Sequence, residues 1–419
     1  MTDYCIGIDL GTTNTLCAVW ERGSNAPRLI PITQPIRSFE PSGFDRVNML
    51  PSVVAVEDDG NVFVGQKARE LARVGRRGVF RSIKREMGLH WTAAAGGHHW
   101  TPSRVSACIL RAIIQEIAAE FENKPSKVVI TVPASFDTDA RDDTFAAAAL
   151  AGFDPNRTRI FDEPTAALLH QIQTRTDDPL SQGKLMMVDI GGGTLDVSLI
   201  ENILTNDGSV SLDLLGRSRY TEIAGDDFDQ HIAGLLLGNY ENETGHQVED
   251  SAPSSVIFFS ELLAAAEEGK RRLSHACRKH FEVSGRRLEK ADFESIKEKL
   301  FFQATPNGKP WETSLSLTQL GQALSFFFPK WGQTDRANWL DDGKFFQPIL
   351  ECFDSASRIT GKDIEPEDLT TVYLSGGSSY LPMASRAVQQ VTFNEPKLVE
   401  QPMEAVAMGA AWLAGLLCG

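Results

Sequence analysis

The chain has 419 residues, enough for more than one ordinary domain and a large buried core. Its 42% hydrophobic and 23% charged residues suit a soluble globular protein, and a formal net charge of −15 argues against nucleic acid as a main partner. No basic segment followed by an apolar stretch opens the chain, and the longest apolar run, Ala405 to Cys418, is too short for a bilayer and reads as a buried helix. The expected setting is the reduced cytoplasm, without membrane contact, and the six cysteines show no paired spacing.

In chain order, the apolar run Tyr4–Ile8, the turn Asp9-Leu-Gly-Thr-Thr-Asn-Thr15 and the run Leu16–Trp20 predict a β-hairpin. Strands are expected at Val53–Val56 and Lys127–Val132, and helices at Pro102–Phe121 and Ala140–Ala151, with Gly152 as a stop. Between them, Ser82-Ile-Lys84-Arg85 reads either as a snorkelling surface face or as a source of a phosphate-binding lysine. His98-His99 falls in a glycine-rich loop with no cysteine nearby. Glu163-Pro-Thr-Ala-Ala167 places an acid either at a helix N-terminus or where a carboxylate orients a water.

A polar stretch, Thr174–Gly183, divides the chain. Beyond it the pattern repeats: Leu185–Val188, the turn Asp189-Ile-Gly-Gly-Gly-Thr-Leu-Asp196, then Val197–Ile200. A helix is expected at Ser255–Ser274, with Glu267, Lys270, Arg271 and Ser274 on one face: a solvated face, or hydrogen bonds and a flat guanidinium for a ribose and base. Residues 301–350 hold ten aromatics: Phe301, Phe302, Trp311, Phe326, Phe327, Phe328, Trp331, Trp339, Phe345 and Phe346. They suit a locally packed insertion or a partner-binding surface. A helix over Gln347–Ile359 stops at Gly361, and Leu374-Ser-Gly-Gly-Ser-Ser-Tyr-Leu-Pro382 reads as strand, glycine turn and helix start.

The duplicated turn carries most of the chemistry. Glycines let backbone N–H groups converge on an anion, threonine hydroxyls add donors, and a carboxylate holds hydrated Mg²⁺. Two such turns imply an α/β protein of two pseudo-symmetric lobes gripping a nucleotide triphosphate. No Gly-Lys is followed by Ser or Thr, so there is no P-loop, and neither HExxH nor a nucleophile elbow occurs.

Together with Val132-Pro-Ala-Ser-Phe136, Gly225-Asp-Asp-Phe-Asp229, Gly376-Gly-Ser378 and Glu404-Ala-Val-Ala-Met-Gly409, these motifs stand in an order that resembles the nucleotide-binding domain of the seventy-kilodalton heat-shock chaperones of DnaK type. The resemblance runs from about Ile6 to Trp412 and is weakest over 275–350. It implies an actin-like ATPase fold of two ribonuclease H-like lobes, each with an inner and an outer subdomain. Lobe I would cover 1–178 (outer part about 38–100), lobe II 179–400 (outer part about 225–345), and 401–419 a helix returning to lobe I. The implied cofactors are ATP or ADP and Mg²⁺, with K⁺ as a further cation. Gly11, Thr12, Thr13 and Asn14 would take phosphates from one lobe, and Gly191, Gly192, Gly193 and Thr194 from the other, with Thr194 also catalytic. Asp9, Asp189 and Asp196 would hold the cation, Lys84 the γ-phosphate, and Glu163 the attacking water. Gly225, Asp226, Glu267, Lys270, Arg271, Ser274, Gly376, Gly377, Ser378 and Tyr380 would complete the nucleotide contacts, and Pro133 and Arg141 would couple nucleotide to lobe rotation.

The departures matter too. Met403 stands where the family is usually acidic, Tyr380 where it stacks an arginine on the base, and the stretch from Met49 to Pro102 is short. The chain closes at Gly419 after its last predicted helix, so the linker and peptide-binding β-domain are expected to be absent. Arg159 matches a J-domain contact, but Asp162 replaces an asparagine, and standard co-chaperone stimulation is not expected. The expected function is slow ATP hydrolysis acting as a switch on an unidentified protein partner. A filament-forming actin relative and a small-molecule kinase of the same superfamily are the alternatives.

Overall fold

The computed structural model describes residues 3–35, 44–174, 182–204, 210–219, 221, 223–249, 253–285, 288, 292–328 and 344–418. Two five-strand paths share one plan. In the first, Tyr4–Leu10 pairs antiparallel with Asn14–Glu21, which pairs with Arg28–Leu29. On its other side Tyr4–Leu10 pairs parallel with Lys127–Val132, and that strand with Thr158–Asp162. In the second, Gly183–Ile190 forms the hairpin with Leu195–Leu204, followed by Val210–Arg217. Leu369–Ser375 and then Lys397–Leu398 add in parallel on the far side. The two sheets therefore have the same strand order and the same mixture of directions. Their central strands are buried on both faces, and so read as unbroken apolar runs rather than as alternation.

Local signals set the helix ends. Thr101 caps Pro102–Glu120 by accepting from the Arg104 amide at 3.3 Å, with Pro102 in the first turn. Asp137 caps Thr138–Ala151 in the same way at 2.9 Å, and Gly152 ends that helix in the left-handed region. The expected helix at Ser255–Ser274 extends to Pro253–Ser284. His98 and His99 lie on a strand instead of a loop. Ala93–Ala95 pairs with His98–Trp100 through Gly96-Gly97, both at positive φ, the geometry of a tight hairpin turn.

Of the aromatic-rich segment, Phe302, Trp311, Phe327, Phe328, Phe345 and Phe346 are buried in the core of the second half, while Phe301 and Phe326 are exposed. Phe302 stacks on Trp311 at 5.0 Å, and Phe327 meets Phe228 edge-on at 5.0 Å. The packed-insertion reading holds for the six buried aromatics and not for Phe301 and Phe326; Trp331 and Trp339 lie outside the described residues, as do 175–181 of the polar divide and 36–43 at the outer-subdomain boundary.

Each sheet's fifth strand leads into a helix, Glu163–Thr174 in the first and Ala405–Leu416 in the second. The two helices pack together in a shared apolar cluster that also contains Cys5, Val129, Leu185 and Met187 of the sheets. A Cβ on Gly409 would lie 1.7 Å from the Ala166 carbonyl oxygen, and one on Gly7 would lie 2.0 Å from the Ala411 amide nitrogen. Only hydrogen fits at either place, so this helix can seat closely against the first strand and the Glu163–Thr174 helix.

Candidate functional site

The equivalent strand ends bring the two acidic turns together. Asp9 is in register with Thr131 on the parallel neighbour, and Asp189 with Ser375. A cavity of about 710 Å³ opens between the lobes. Asp9, Gly11, Thr12, Thr13 and Asn14 line it from the first turn, and Asp189, Gly191, Gly192 and Thr194 from the second. Lys84, Glu163, Gly225 and Asp226 join them, as do Glu267, Lys270, Arg271 and Ser274 on the long helix. Gly376, Gly377, Ser378, Tyr380 and Met403 complete the predicted wall.

Two predicted residues are not on that wall. Gly193 packs against Thr12, and its carbonyl accepts from Arg85 Nε at 2.9 Å. Asp196 lies directly across the hairpin from Asp189 and accepts from Ser135 Oγ at 2.5 Å. Lys84 is not a snorkelling surface residue. Ser82, at φ 50, turns the chain into the short 3₁₀ segment Ile83–Glu86, and Lys84 is buried in an ion pair with Glu163. Glu163 opens its helix as the sequence suggests, but it too is buried and faces the lysine.

Three carboxylates, Asp9, Glu163 and Asp196, thus act on one lysine, and Asp189 stands among them. Burial, with Glu163 nearby, pushes the Asp9 carboxyl up to about 7, despite Lys84. Burial and Glu163 push Asp196 up to about 6, and Asp189 is held well above the usual range by burial, then by Glu163, Asp9 and Asp196. Burial pulls the Lys84 ammonium down, but Glu163 and Asp9 outweigh it and its pKa is raised.

This set fits a divalent cation. Like charges directly opposite on a hairpin repel, and Asp189 Oδ1 is buried without a hydrogen-bond partner. Among the described residues no three acidic, histidine or cysteine groups converge tightly enough to grip one ion. An ion here would keep most of its own water, as Mg²⁺ prefers.

The turns touch across the cleft. A Cβ on Gly192 would lie 1.8 Å from Thr13 Oγ1. Thr13 Oγ1 donates to Asp226 Oδ1 at 3.0 Å, and Ser82 Oγ donates to Asp226 Oδ2 at 2.9 Å. Arg85 Nη2 reaches Asp227 Oδ2 at 2.7 Å, and Arg69 pairs with Glu267 at 3.5 Å. Ser52 braces the first turn by donating to the Gly11 carbonyl at 2.7 Å. Ser52 escaped the sequence reading, and Ser82 and Arg85 were given no role of their own there; the only signal for either was its place beside Lys84.

At the predicted nucleoside side, Lys270 lines the cavity with partners already in place. Its ammonium pairs with Asp229 at 2.8 Å and donates to the Gly225 carbonyl at 3.0 Å, so its charge is engaged within the protein. Burial still pushes Asp229 up to about 7. Tyr380 carries the Arg278 guanidinium 5.7 Å from its ring centroid, and Arg278, like His275, also lines the cavity. Arg159 is exposed, and Asp162 is paired with Arg141 at 2.5 Å.

Two lobes of equal strand order, closing on one cavity with an acid cluster at the strand ends, define an actin-like ATPase fold. The Hsp70 protein family model matches residues 5–303 and 344–419, and the chain belongs to the Hsp70 family. The unmatched stretch falls within the aromatic-rich segment. The chain is 27% identical over 418 residues to the chaperone protein DnaK of Thermotoga neapolitana, and 28% identical to those of Thermosipho melanesiensis and Thermosipho africanus. Each alignment covers 100% of this chain and 60% of the relative, so the chain spans less than two thirds of their length. No helix among the described residues is long and apolar enough to cross a membrane.

Proposed function

We propose that this chain binds ATP with Mg²⁺ in the interlobe cavity and hydrolyses it slowly, the nucleotide setting a lobe arrangement that a protein partner reads. The observation that carries the reading is the buried Lys84–Glu163 pair amid Asp9, Asp189 and Asp196, beside both glycine turns. Asp9 and Asp189, with Asp196 behind, would hold the hydrated cation, which supplies charge neutralisation on the phosphates. Thr12, Thr13, Thr194 and the turn amides present donors to phosphate oxygens. Lys84 places positive charge at the terminal phosphate, and Glu163 accepts a hydrogen bond from the attacking water and orients it. The work is positioning and electrostatics, as phosphoryl transfer requires. On the nucleoside side, Arg271 and Tyr380 offer flat surfaces, and Ser274 and Ser378 hydroxyls.

Binding of ATP would separate Thr13 from Gly192 and break the Thr13–Asp226 contact, which gives the nucleotide a direct hold on lobe position. Membership of the Hsp70 family favours this reading over a filament former or a small-molecule kinase. With Asp162 tied to Arg141, the partner we propose is not a standard J-domain co-chaperone.

The test is calorimetric binding and single-turnover hydrolysis. Asp189→Ala should abolish Mg²⁺-dependent ATP binding; normal affinity in that variant removes the site assignment. Glu163→Ala and Lys84→Ala should bind ATP but turn over about 10²–10⁴-fold more slowly. A wild type no faster than these variants is a binder and not an ATPase.

A further inference from the structure

Away from the cleft, two cysteines remote in sequence meet. Cys5 sits fully buried in the first strand, and Cys418, half-buried, follows the C-terminal helix. Their sulfurs stand 2.7 Å apart, across 413 positions of sequence. A bonded pair lies at about 2.05 Å, so closure requires well under an ångström of movement.

The helix between these points is a strap across the lobes. At its start Met403 and Val406 line the cavity, and the Pro402 carbonyl accepts from the Gly376 amide at 3.0 Å, in the second lobe. At its far end Ala411 lies against Gly7 and Gly415 against Trp20, in the first lobe.

We propose that Cys5 and Cys418 are a redox pair, which a low-molecular-weight disulfide such as glutathione disulfide converts to an internal disulfide stapling this helix to the first strand. Cys418, the accessible partner, reacts first: its thiolate attacks one sulfur of glutathione disulfide, forming a mixed disulfide and releasing one glutathione thiolate. Cys5 then gives up its proton to that thiolate and attacks the Cys418 sulfur, expelling the second glutathione, which takes a proton from solvent. Two protein thiols are oxidised and one external disulfide is reduced to two thiols. Burial raises the Cys5 thiol above its ordinary range, which reserves it for the second, intramolecular step.

The test treats the full chain with glutathione disulfide, then maps non-reduced tryptic peptides by mass spectrometry. The expected product has lost two hydrogens and links the peptide 1–22 to the peptide 398–419, with fragment ions placing the bond at Cys5 and not at Cys17. Cys5→Ser should instead accumulate glutathione on Cys418, trapping the intermediate. Cys418→Ser, at a half-exposed position, should fold normally and form no link. In the oxidised wild type, amide exchange over the last turn of the helix should slow by about tenfold and recover with reductant. A stable glutathione adduct on Cys418 of the wild type, a Cys5–Cys17 link, or no reaction overturns the proposal. None of these outcomes depends on nucleotide binding.

Discussion

Replacing Lys84 by methionine tests the charge logic of the cleft. The Lys84 and Glu163 side chains are 6% and 7% exposed, so solvent does little to screen the pair. Removing one member of such a buried pair costs about 3–5 kcal/mol, because the other charge is left uncompensated. Here the loss should fall at the upper end, since Asp9, Asp189 and Asp196 remain beside the orphaned Glu163. Adding Glu163→Gln removes that charge, and the double variant Lys84→Met/Glu163→Gln should recover about 2 kcal/mol or more relative to the sum of the single losses. Urea unfolding at about pH 8, without nucleotide or divalent cation, reads both midpoint and slope. Simple addition of the two losses, or a Lys84→Met cost under about 1 kcal/mol, would refute the reasoning. The cost should also shrink at about pH 5, where Asp9 and Asp196, with carboxyls pushed up to about 7 and about 6, already carry protons in the folded state.

Without nucleotide, the Asp9 contribution to stability should be present at low pH and lost as pH rises from 3.8 to about 7, because the folded state holds a proton that the unfolded state has released. Three pKa units set a bound of about 4 kcal/mol, so Asp9→Asn should stabilise the empty protein more at about pH 8 than at about pH 5, and equal gains in paired melts would count against it. Gly409→Ala, driving a methyl into the Ala166 carbonyl, should cost about 3 kcal/mol or more in thermal unfolding. Gly238→Ala, in a helix with open space around it, should stabilise by about 0.5–1 kcal/mol, and comparable losses in the two variants would contradict the packing argument. Arg278→Ala should weaken ATP binding about fivefold in calorimetry through loss of the cation held over Tyr380, with part of the affinity kept in Arg278→Lys. Unchanged affinity in Arg278→Ala would leave that contact without a binding role.

The two acidic turns were legible because their composition is poor material for anything else. Glycines, threonines and an aspartate at the end of an apolar strand announce a hairpin whose turn is suited to an anion. Helix ends were equally local, set by Thr101, Asp137, Gly152 and Gly361, each acting within a few residues of itself. For Lys84 the residues alone favoured a solvated surface, since lysine beside arginine usually lies there. Its burial depends on Glu163, 79 positions away, and on the left-handed turn at Ser82.

The sequence by itself determined the duplication, the α/β class and the identity of the groups at the cleft, because those follow from periodicity, turn chemistry and residue type over short spans. Only the tertiary structure decided how the groups are paired. It showed that Lys270 spends its charge on Asp229, that Asp226 joins the lobes through Thr13 and Ser82, and that Asp196 lies behind the cavity wall instead of on it. It also brought Cys5 to Cys418, 413 positions away. Such contacts form between elements remote in sequence, and their energies depend on burial and distance, which no local pattern encodes.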